Sequence, residues 1–468
     1  MTRVLSVTSE YVPLIKTGGL ADVAGALPAA LAPLGVEMRT LLPGYPAVMA
    51  ATRNGTEAVA LRSLFGGPAR IVQSSCDGQI VYVLDAPHLF DRPGAIYSGP
   101  DGRDWPDNPK RFAALSLAAA RIAADGLLDW QPDVLHAHDW QAGLTPVYLR
   151  DLERTPKTGT LLTIHNIAFQ GIAAPAMLSD LRLPKQGFTM DGFEFFGWIS
   201  ALKAGIVYSD KISTVSPTYA GQLLTPEFGM GLDGLLRHRR DDLVGILNGI
   251  DLDAWKPPYA RPVSKKKHKA ALRAKLGLPE SDGPLCVVVS RLTQQKGLDL
   301  LLEALPALLA EGGQLAVLGS GDSTLEAAFR AAAARHDGVA VQIGYDEALS
   351  RQLIAGGDAI LVPSRFEPCG LTQLYGLRFG TVPLVALTGG LADTVIPANS
   401  AALAVGAATG FQFFPVDTEA LIGALRSLVH AYRTPEIWAR MQRNAMAQPV
   451  GWETSAAEYA ALYQTLKK

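Results

Sequence analysis

Short apolar runs alternate with helix-period segments along almost the whole of this 468-residue chain. The runs are rich in β-branched residues and lack strict polar–apolar alternation, as is typical of strands buried on both faces of a parallel sheet. Strand–helix alternation on this scale predicts an α/β fold. The predicted strands form two series, at Val4–Thr8, Arg39–Leu42, Ile80–Leu84, Asp133–His136, Thr160–Ile164 and Lys211–Val215, and at Leu243–Leu247, Leu285–Ser290, Gln314–Leu318, Val339–Ile343, Ala359–Val362 and Pro383–Ala386.

Two series of this length are too much for one ordinary doubly wound sheet, and they predict two domains, at residues 1–242 and 243–451. The proline-rich stretch at residues 255–262 is expected to be a linker or an irregular crossover. Asn108 is expected to cap the N-terminus of a helix at Pro109–Ala124, and Gly126 lies just past the end of that helix. The predicted helices include Pro109–Ala124, Leu298–Ala310, Ser323–Arg335 and Leu371–Phe379.

The composition argues against a disordered chain and against a nucleic-acid partner. Hydrophobic residues make up 48% and charged residues 18%, whereas a disordered chain needs low hydrophobicity and high charge. With 42 Lys and Arg against 44 Asp and Glu, the net charge is −2, without the basic excess of a nucleic-acid binder. One basic run, residues 265–269 (Lys-Lys-Lys-His-Lys), opens a helical pattern and is interpreted as a solvated helix face.

The cysteines and the termini favour a cytoplasmic protein. Cys76, Cys286 and Cys369 are odd in number and widely spaced, so neither a disulfide framework nor a four-cysteine zinc site is available. A reducing compartment is the simplest interpretation. The apolar run at the N-terminus is too short for a signal peptide, and the uncharged residues 394–415 are interrupted by Pro397 and several glycines. We therefore expect no membrane association.

A six-residue sequence, Thr-Gly-Gly-Leu-Ala-Asp, occurs at residues 17–22 and again at residues 388–393. Each copy follows a predicted strand and opens a predicted helix, where paired glycines let a ligand approach the backbone and the helix N-terminus attracts negative charge. The alternative is that both copies are simple turn sequences. The identity favours two similar Rossmann-like halves, which would make a deep cleft if they faced each other.

Two glycine-rich turns are candidates for phosphate or nucleotide binding. Lys16 precedes Gly18 and Gly19 at a strand-to-helix turn, which suits a phosphate-bearing ligand although it is not a P-loop. Residues 319–322 (Gly-Ser-Gly-Asp) follow another predicted strand, but the third glycine of the dinucleotide fingerprint is replaced by Thr324. We interpret this second sequence as a tight turn near a nucleotide, not as a hydride-transfer site.

Polar residues at two neighbouring strand ends point to a ligand site. Residues 136–140 (His-Ala-His-Asp-Trp) superficially resemble a metal motif, but the spacing differs from the hydrolase pattern. Asp139 lies among polar residues at the carboxyl end of one predicted strand, and His165 closes the apolar run of the next, so both are placed where α/β sheets bind ligands. Residues 251–253 (Asp-Leu-Asp) follow a turn signal and are interpreted as a loop, with no metal expected.

The second half of the chain carries the strongest chemical signals. Arg291 and Lys296 flank a turn after a buried strand, where two cations suit a diphosphate; a surface turn is the alternative. Residues 363–372 place Glu367 before Gly370 and a helix start. Backbone N–H groups at residues 370–372 could hold phosphate or sugar hydroxyls, and the carboxylate could bind a sugar.

These motifs together resemble those of the bacterial glycogen synthase and plant starch synthase family. The similarity covers residues 16–23, 136–140, 248–251, 290–297 and 364–376, in order and at comparable spacing along the whole chain. It implies the GT-B fold, in which two Rossmann-like, doubly wound parallel-sheet domains face each other across a deep cleft. It also implies that a C-terminal helix at residues 452–468 returns to the N-terminal domain.

The resemblance implies retaining transfer of glucose from ADP-glucose to the non-reducing end of an α-1,4-glucan such as glycogen, without metal or other cofactor. Front-side attack assisted by the leaving phosphate is preferred over a covalent intermediate on Glu367, and Asp139 or a phosphate oxygen would take the acceptor proton. The implied catalytic residues are Asp139, His165, Arg291, Lys296 and Glu367. The implied substrate-binding residues are Lys16, Gly18, Gly19, Asp22, Asn248, Tyr345, Cys369, Gly370, Leu371 and Thr372.

One departure from the pattern of retaining glycosyltransferases in general narrows the family that the chain resembles to the glycogen and starch synthases. Many relatives carry two glutamates eight positions apart, whereas here Glu367 is followed at that offset by Tyr375, as in the glycogen and starch synthases. UDP-glucose as donor, a nucleotide-sugar epimerase and a non-catalytic glycan-binding relative remain alternatives at this stage. Intact Lys16, Arg291 and Glu367 argue against the last of these.

Overall fold

The computed structural model describes residues 1–152 and 157–468, which divide into two compact units. Unit 1 comprises Met1–Val215, Ala220–Asn248 and Trp452–Lys468, and unit 2 comprises Ser216–Tyr219 and Gly249–Gly451. Within these described ranges, no helix has both the length and the apolar character needed to cross a bilayer.

The strands and helices are numbered in chain order. The strands are β1 (Thr2–Val7), β2 (Val36–Pro43), β3 (Thr56–Leu64), β4 (Gly67–Cys76), β5 (Gln79–Asp85), β6 (Val134–His138), β7 (Gly159–Ile164), β8 (Ile172–Ala173), β9 (Glu194–Phe195), β10 (Trp198–Ser200), β11 (Lys211–Thr214), β12 (Leu243–Gly245), β13 (Leu285–Val289), β14 (Gln314–Gly319), β15 (Val339–Ile343), β16 (Ala359–Val362), β17 (Val382–Ala386) and β18 (Phe411–Phe413). The helices are α1 (Gly19–Leu31), α2 (Pro46–Ala51), α3 (Pro87–Phe90), α4 (Asn108–Asp125), α5 (Asp139–Ala142), α6 (Thr145–Leu152), α7 (Ala201–Tyr208), α8 (Pro217–Leu223), α9 (Asp233–His238), α10 (Lys265–Leu276), α11 (Leu298–Ala310), α12 (Ser323–Arg335), α13 (Glu347–Gly356), α14 (Thr372–Phe379), α15 (Gly389–Thr394), α16 (Ser400–Val405), α17 (Thr418–Tyr432), α18 (Pro435–Met446) and α19 (Glu453–Leu466).

Unit 1 is built on a nine-stranded sheet with the order β12-β11-β7-β6-β1-β2-β5-β4-β3. The strands from β12 to β5 are mutually parallel, whereas β4 and β3 add an antiparallel hairpin at one edge. The chain starts at β1, builds outward to β2 and β5, and then returns to β6 on the other side of β1. The strand order therefore reverses between β1 and β6, where open α/β sheets bind ligands.

Unit 2 is built on a six-stranded parallel sheet with the order β15-β14-β13-β16-β17-β18. Counted along the chain within this unit, that order is 3-2-1-4-5-6, the doubly wound arrangement. The order reverses between β13 and β16. Both strands are almost wholly buried, because α11 and α17 cover one face of the sheet and α10 and α13 cover the other. The prediction of two doubly wound parallel sheets is confirmed.

The structure corrects three details of the sequence interpretation. Leu243–Gly245 forms β12, which pairs with β11 in the first sheet instead of starting the second series. The exposed hairpin of β3 and β4 was not predicted, because its alternating half-exposed residues lack the apolar runs of a buried strand. Asp107, not Asn108, is the N-cap position of α4; Asn108 accepts a hydrogen bond from the buried Arg111 at 2.7 Å.

The basic run at the start of α10 is not uniformly solvated. Lys265 is only 4% exposed, and its ammonium group donates to the hydroxyls of Tyr259 and Thr381 at 2.8 and 2.7 Å and to nearby backbone carbonyls. Lys269 forms an ion pair of 2.5 Å with Asp358. The interpretation as a solvated face is therefore wrong at these two lysines, because they tie α10 to α13, to the end of α14 and to the residue before β16.

The last helix, α19, packs on the sheet of unit 1. Trp452, Tyr459 and Tyr463 share a buried apolar cluster with residues of β1, α1 and β6. At its end, the Lys468 ammonium group lies 3.0 Å from an Asp210 carboxylate oxygen. The two ends of the chain thus contribute to one core.

Candidate functional site

In unit 1, the predicted site residues follow neighbouring parallel strands. The loop with Lys16 follows β1, Asp139 follows β6 and His165 follows β7, and these three strands are adjacent in the sheet. Because parallel strands end at the same edge, the fold gathers the residues beside the reversal between β1 and β6. Their placement follows from topology and not from sequence proximity.

Glu10 holds the glycine-rich loop and was not identified from the sequence. Its buried carboxylate accepts hydrogen bonds from the Thr17 backbone N–H at 2.6 Å, the Thr17 hydroxyl at 2.5 Å and the Gly18 backbone N–H at 3.0 Å. Tyr97 donates to the same carboxylate at 2.7 Å. An acidic residue just past an apolar strand was the available signal, but its partners became visible only in the fold.

The two copies of the repeated hexapeptide have different surroundings. In the first copy, a Cβ atom built on Gly18 has no heavy atom within 4 Å, and the backbone is extended (φ −151°). Lys16 beside it is exposed and forms an ion pair of 2.8 Å with Asp22. The backbone at Gly18 is therefore open to a ligand, as the sequence suggested.

The second copy is packed against protein. A Cβ atom on Gly389 would lie 1.9 Å from the Glu367 carbonyl oxygen, and its φ is +44°. A Cβ atom on Gly390 would lie 2.4 Å from the Cys369 carbonyl oxygen. These glycines bring α15 against the loop after β16. The expectation that both copies admit a ligand to the backbone is thus wrong for the second copy.

Asp139 fixes the turn that carries His165. One of its carboxylate oxygens accepts hydrogen bonds from the backbone N–H groups of His165 at 2.7 Å and Asn166 at 3.3 Å. Its own backbone is left-handed (φ +53°), a conformation that costs free energy in a residue other than glycine. Burial raises the Asp139 pKa to about 7 despite these two hydrogen bonds.

His165 belongs to a chain of histidines that leads into the core. Its Nε2 lies 3.0 Å from Nδ1 of His138, whose Nε2 lies 3.2 Å from the Ser6 hydroxyl. The ring of His136 packs at a tilt against that of His138, with ring centroids 4.1 Å apart, and its Nδ1 lies 2.8 Å from the Tyr463 hydroxyl. Burial lowers the pKa of His136 and His165 to about 3, and that of His138 well below its usual value, so the chain is uncharged at neutral pH.

Asn248, three residues after β12, has a buried side-chain oxygen that is a candidate for a ligand contact. It is 8% exposed, and its side-chain carbonyl oxygen is buried without a hydrogen-bond partner among the residues described. A buried acceptor left in this state costs free energy unless something else supplies a donor. The sequence identified this residue only through the resemblance.

In unit 2, the predicted cation and carboxylate are in direct contact. The Lys296 ammonium group lies 2.5 Å from Glu367, which also accepts a hydrogen bond of 3.1 Å from Ser364. The two side chains come from the loops after β13 and β16, on either side of the strand-order reversal. Arg291 is exposed, and its guanidinium has no hydrogen-bond or ion-pair partner in the described parts of the chain, so it is available to an anion.

Glycines press these loops together. A Cβ atom on Gly297 would lie 1.9 Å from the Pro363 carbonyl oxygen, and one on Gly319 would lie 1.8 Å from the Ser290 carbonyl oxygen. Gly321 faces the backbone of Leu292 in the same way. The Gly-Ser-Gly turn therefore supports the loop that carries Arg291, and its glycines pack on protein instead of facing open space.

The loop before α14 presents Gly370, Leu371 and Thr372 at the helix start. Gly370 is left-handed (φ +72°), and the buried Gln373 amide donates to the Cys369 and Gly370 carbonyls at 3.0 and 2.9 Å. Cys369 itself is buried. The side chain of Gln373 thus holds the turn in shape, a role that the sequence alone does not assign.

Tyr345 and Tyr375 differ in exposure and in packing. Tyr345 follows β15 and is 81% exposed, and no contact brings it to the Lys296–Glu367 pair. Tyr375, where many retaining transferases carry a second glutamate, stacks on Trp255 with ring centroids 3.6 Å apart. The aromatic pair explains why a carboxylate is absent from that position.

Asp251 has a structural role in its turn. Its carboxylate accepts hydrogen bonds of 2.9 Å from the backbone N–H groups of Asp253 and Ala254. Across residues 1–152 and 157–468, no group of three or more His, Cys, Asp or Glu side chains is arranged to hold a metal ion.

Two family models match this chain. One, described as the starch synthase catalytic domain, matches residues 3–238, and the other, glycosyl transferases group 1, matches residues 269–446. A glycogen synthase of Paracoccus denitrificans (strain Pd 1222) is 69% identical over 466 residues, covering 100% of both chains. A glycogen synthase of Jannaschia sp. (strain CCS1) is 57% identical over 471 residues, covering 99% of both.

Solved structures agree with this similarity. The catalytic domain of starch synthase IV from Arabidopsis thaliana, bound to ADP and acarbose, superposes with a TM-score of 0.88 at 31% identity over 99% of both chains. A sucrose-phosphate synthase from Thermosynechococcus elongatus superposes with a TM-score of 0.62 at 17% identity, over 100% of this chain and 99% of that one. The second likeness supports the fold alone.

Substitution by alanine at Gly18 and at Gly389, the equivalent glycines of the two copies, should change the free energy of unfolding by different amounts. We expect Gly18→Ala to leave the free energy of unfolding within about 0.5 kcal/mol of the parent, because its Cβ meets nothing. Gly389→Ala should lower it by at least about 2 kcal/mol, because of the clash and the left-handed backbone. Denaturant unfolding measures both, and equal effects would contradict the assignment.

The histidine chain should make stability fall in acid. Between pH 6.5 and about 4, the unfolded chain binds a proton at each of the three histidines that the folded chain keeps neutral, whereas folded Asp139 binds one that the unfolded carboxylate does not. The excess in the unfolded state grows as pH falls and reaches about two protons near pH 5, where stability should fall by about 2–3 kcal/mol per pH unit.

This dependence can be assigned with matched substitutions followed by denaturant unfolding at pH 7, 6 and 5. His165→Gln should reduce the slope by about 1 kcal/mol per pH unit, since it removes one titrating group. His336→Gln, at an exposed position, should leave the slope unchanged. An unaltered slope in the first variant would show that His165 is charged in the folded state.

Proposed function

Because the chain belongs to the glycogen and starch synthase family of GT-B glycosyltransferases, we propose that it transfers glucose from ADP-glucose to the non-reducing end of an α-1,4-glucan with retention of configuration. The family makes the chain a hexosyltransferase of the glycogen synthase type. The donor, the acceptor end and the stereochemistry are parts of the proposal. Its main support in the structure is the contact between Lys296 and Glu367, together with Arg291 on the same loop as Lys296, which has no partner among the described residues.

The departing diphosphate sets the electrostatic requirement. When the bond between the anomeric carbon and the phosphate oxygen breaks, negative charge develops on the phosphate, and fixed cations aimed at it stabilise the transition state. We assign this role to Arg291, whose planar guanidinium can bind two phosphate oxygens, and to Lys296. Glu367 holds the Lys296 ammonium group in place at 2.5 Å.

Glu367 has a second assigned role at the sugar. One of its carboxylate oxygens is engaged by Lys296 and Ser364. The other is available to accept hydrogen bonds from glucose hydroxyls, which would orient the ring over the phosphate. A carboxylate already paired with an ammonium group is a weak nucleophile, which favours front-side attack over a covalent intermediate on this residue.

The bond changes balance without a protein nucleophile. The acceptor 4-hydroxyl oxygen bonds to the anomeric carbon on the face that the diphosphate leaves, and its proton passes to the departing phosphate oxygen. Asp139 is a poor candidate for the base, because one of its oxygens is held by two backbone N–H groups. We assign it the positioning of His165, whose neutral imidazole would bind a glucose hydroxyl.

The remaining sequence-predicted residues are proposed as donor contacts. Lys16, the open backbone at Gly18 and the neighbouring Gly19 would meet the phosphates or the sugar, with Asp22 orienting the lysine. Asn248 offers an unsatisfied buried oxygen. Tyr345 and residues 369–372 are carried over on the resemblance. We assign the protein to the cytoplasm, because its three cysteines form no disulfide and a nucleotide-activated sugar is the proposed donor. We propose no nucleic-acid partner.

The donor and the metal requirement can be tested together. We expect glucose incorporation into added glycogen from ADP-glucose, at a rate at least about tenfold above that from UDP-glucose, and unchanged by EDTA because Arg291 and Lys296 supply the charge that a metal would. Radiolabelled donor and precipitation of the glucan measure the rate. A preference for UDP-glucose, or loss of activity with EDTA, would contradict the respective part of the proposal.

Removing the unpaired guanidinium should affect catalysis without affecting the fold. Arg291→Ala should lower kcat about 100-fold or more, because it removes a contact to developing charge, while the melting temperature stays within about 2 °C of the parent. Arg335→Ala, at another exposed arginine, is the matched control and should keep full activity. A kcat for Arg291→Ala within threefold of the parent would remove this residue from the mechanism.

A further inference from the structure

Unit 2 contains a cavity of about 1270 Å³ that none of the predicted site residues lines. Its walls are the segment at residues 256–263, the first turns of α10, one residue of α14 and the face of α18. The volume exceeds that of ordinary small-molecule pockets, which are roughly 300–1,000 Å³. The cavity can therefore hold an organic ligand together with water.

The charge of the cavity wall is strongly one-sided. Among the described residues that line it, Asp358 is the one carboxylate, and it is already paired with Lys269 at 2.5 Å. Four exposed cations on the wall have no ion-pair partner within residues 1–152 and 157–468. These are Lys256, Arg261, Lys266 and Arg443.

Two further donors on the wall lack acceptors. Trp438 is 6% exposed, and its indole N–H has no hydrogen-bond partner in the described structure. The Nε of Arg378 is likewise buried without a partner, although another nitrogen of that guanidinium reaches the Leu252 carbonyl at 3.4 Å. Each of these N–H groups is fully buried, so a group in the cavity would reach it only if the wall moved.

Lys265 adds positive charge from behind the wall. Its partners are hydroxyl and carbonyl oxygens, including those of Tyr259 and Thr381, with no carboxylate in contact. Burial lowers its pKa to about 7, so part of the charge remains at neutral pH. The cavity thus combines exposed cations on its wall with a buried ammonium group behind it.

We propose that this cavity binds an organic polyphosphate at a site separate from the sugar-donor site. Arginine and lysine side chains from two segments, with Arg261 on one and Arg443 on the other, suit several phosphate groups. Pro258, Tyr432 and Trp438 give the wall an apolar part, which suits a base or another organic moiety. A ligand held by both segments would tie the segment at residues 256–263 to α18.

The test must exclude binding at the donor site, so it uses the full-length Arg291→Ala/Lys296→Ala variant as the parent. Calorimetric titration with ATP should show saturable binding to this protein, and tripolyphosphate should bind at least fivefold more weakly because it lacks the organic part. Absence of ATP binding would overturn the proposal, as would tripolyphosphate binding as tight as that of ATP.

Matched substitutions on the same parent locate the binding. Adding Arg261→Ala and Arg443→Ala should weaken ATP binding at least tenfold; both side chains are exposed and make no contact that the fold needs, which thermal unfolding verifies. Arg440→Ala with Lys267→Ala removes two exposed cations that do not line the cavity, one on α18 and one on α10, and should change the affinity less than twofold. Equal effects of the two pairs would show non-specific charge attraction and overturn the assignment.

Discussion

Parallel strands that share a sheet all end at the same edge, and this constraint determines where the chemistry of the chain can lie. In unit 1 the strand order reverses between β1 and β6, and in unit 2 between β13 and β16. At each reversal the loops of two adjacent strands turn away to opposite faces and leave their ends accessible. The loop with Lys16 and Asp139 occupy the first edge, and Lys296 and Glu367 occupy the second. Residues separated by 71 to 123 positions thereby become neighbours or near neighbours.

The repeated hexapeptide shows what a sequence can and cannot specify. Both copies begin a helix after a strand, and that much follows from glycine and helix-end chemistry. The two copies differ in role because the atoms that surround each glycine differ, and those atoms come from distant parts of the chain. Gly18 faces open space, whereas Gly389 lies against the Glu367 carbonyl. The second copy therefore packs against the loop that carries Glu367, and no local pattern distinguishes it from the first.

The same division applies to the site as a whole. Arg291, Lys296 and Glu367 could be put forward as candidate site residues because each stands next to a recognisable strand end, and the fold class followed from apolar periodicity. Glu10 and Tyr463 could not, since their importance lies in contacts with the glycine-rich loop and with His136. Lys265 was misjudged for a related reason: its run of neighbours reads as a solvated surface, but a tertiary contact buries that one ammonium group. Long-range partners, not residue types, were the missing information.

The central claim is that fixed cations at the second reversal receive the departing diphosphate. Its most direct test is a crystal structure of the parent protein with ADP bound. We expect phosphate oxygens within about 3 Å of the Arg291 guanidinium and of the Lys296 ammonium group, with the Lys296–Glu367 contact preserved. Phosphates bound away from both side chains, with Arg291 still exposed to solvent, would contradict it.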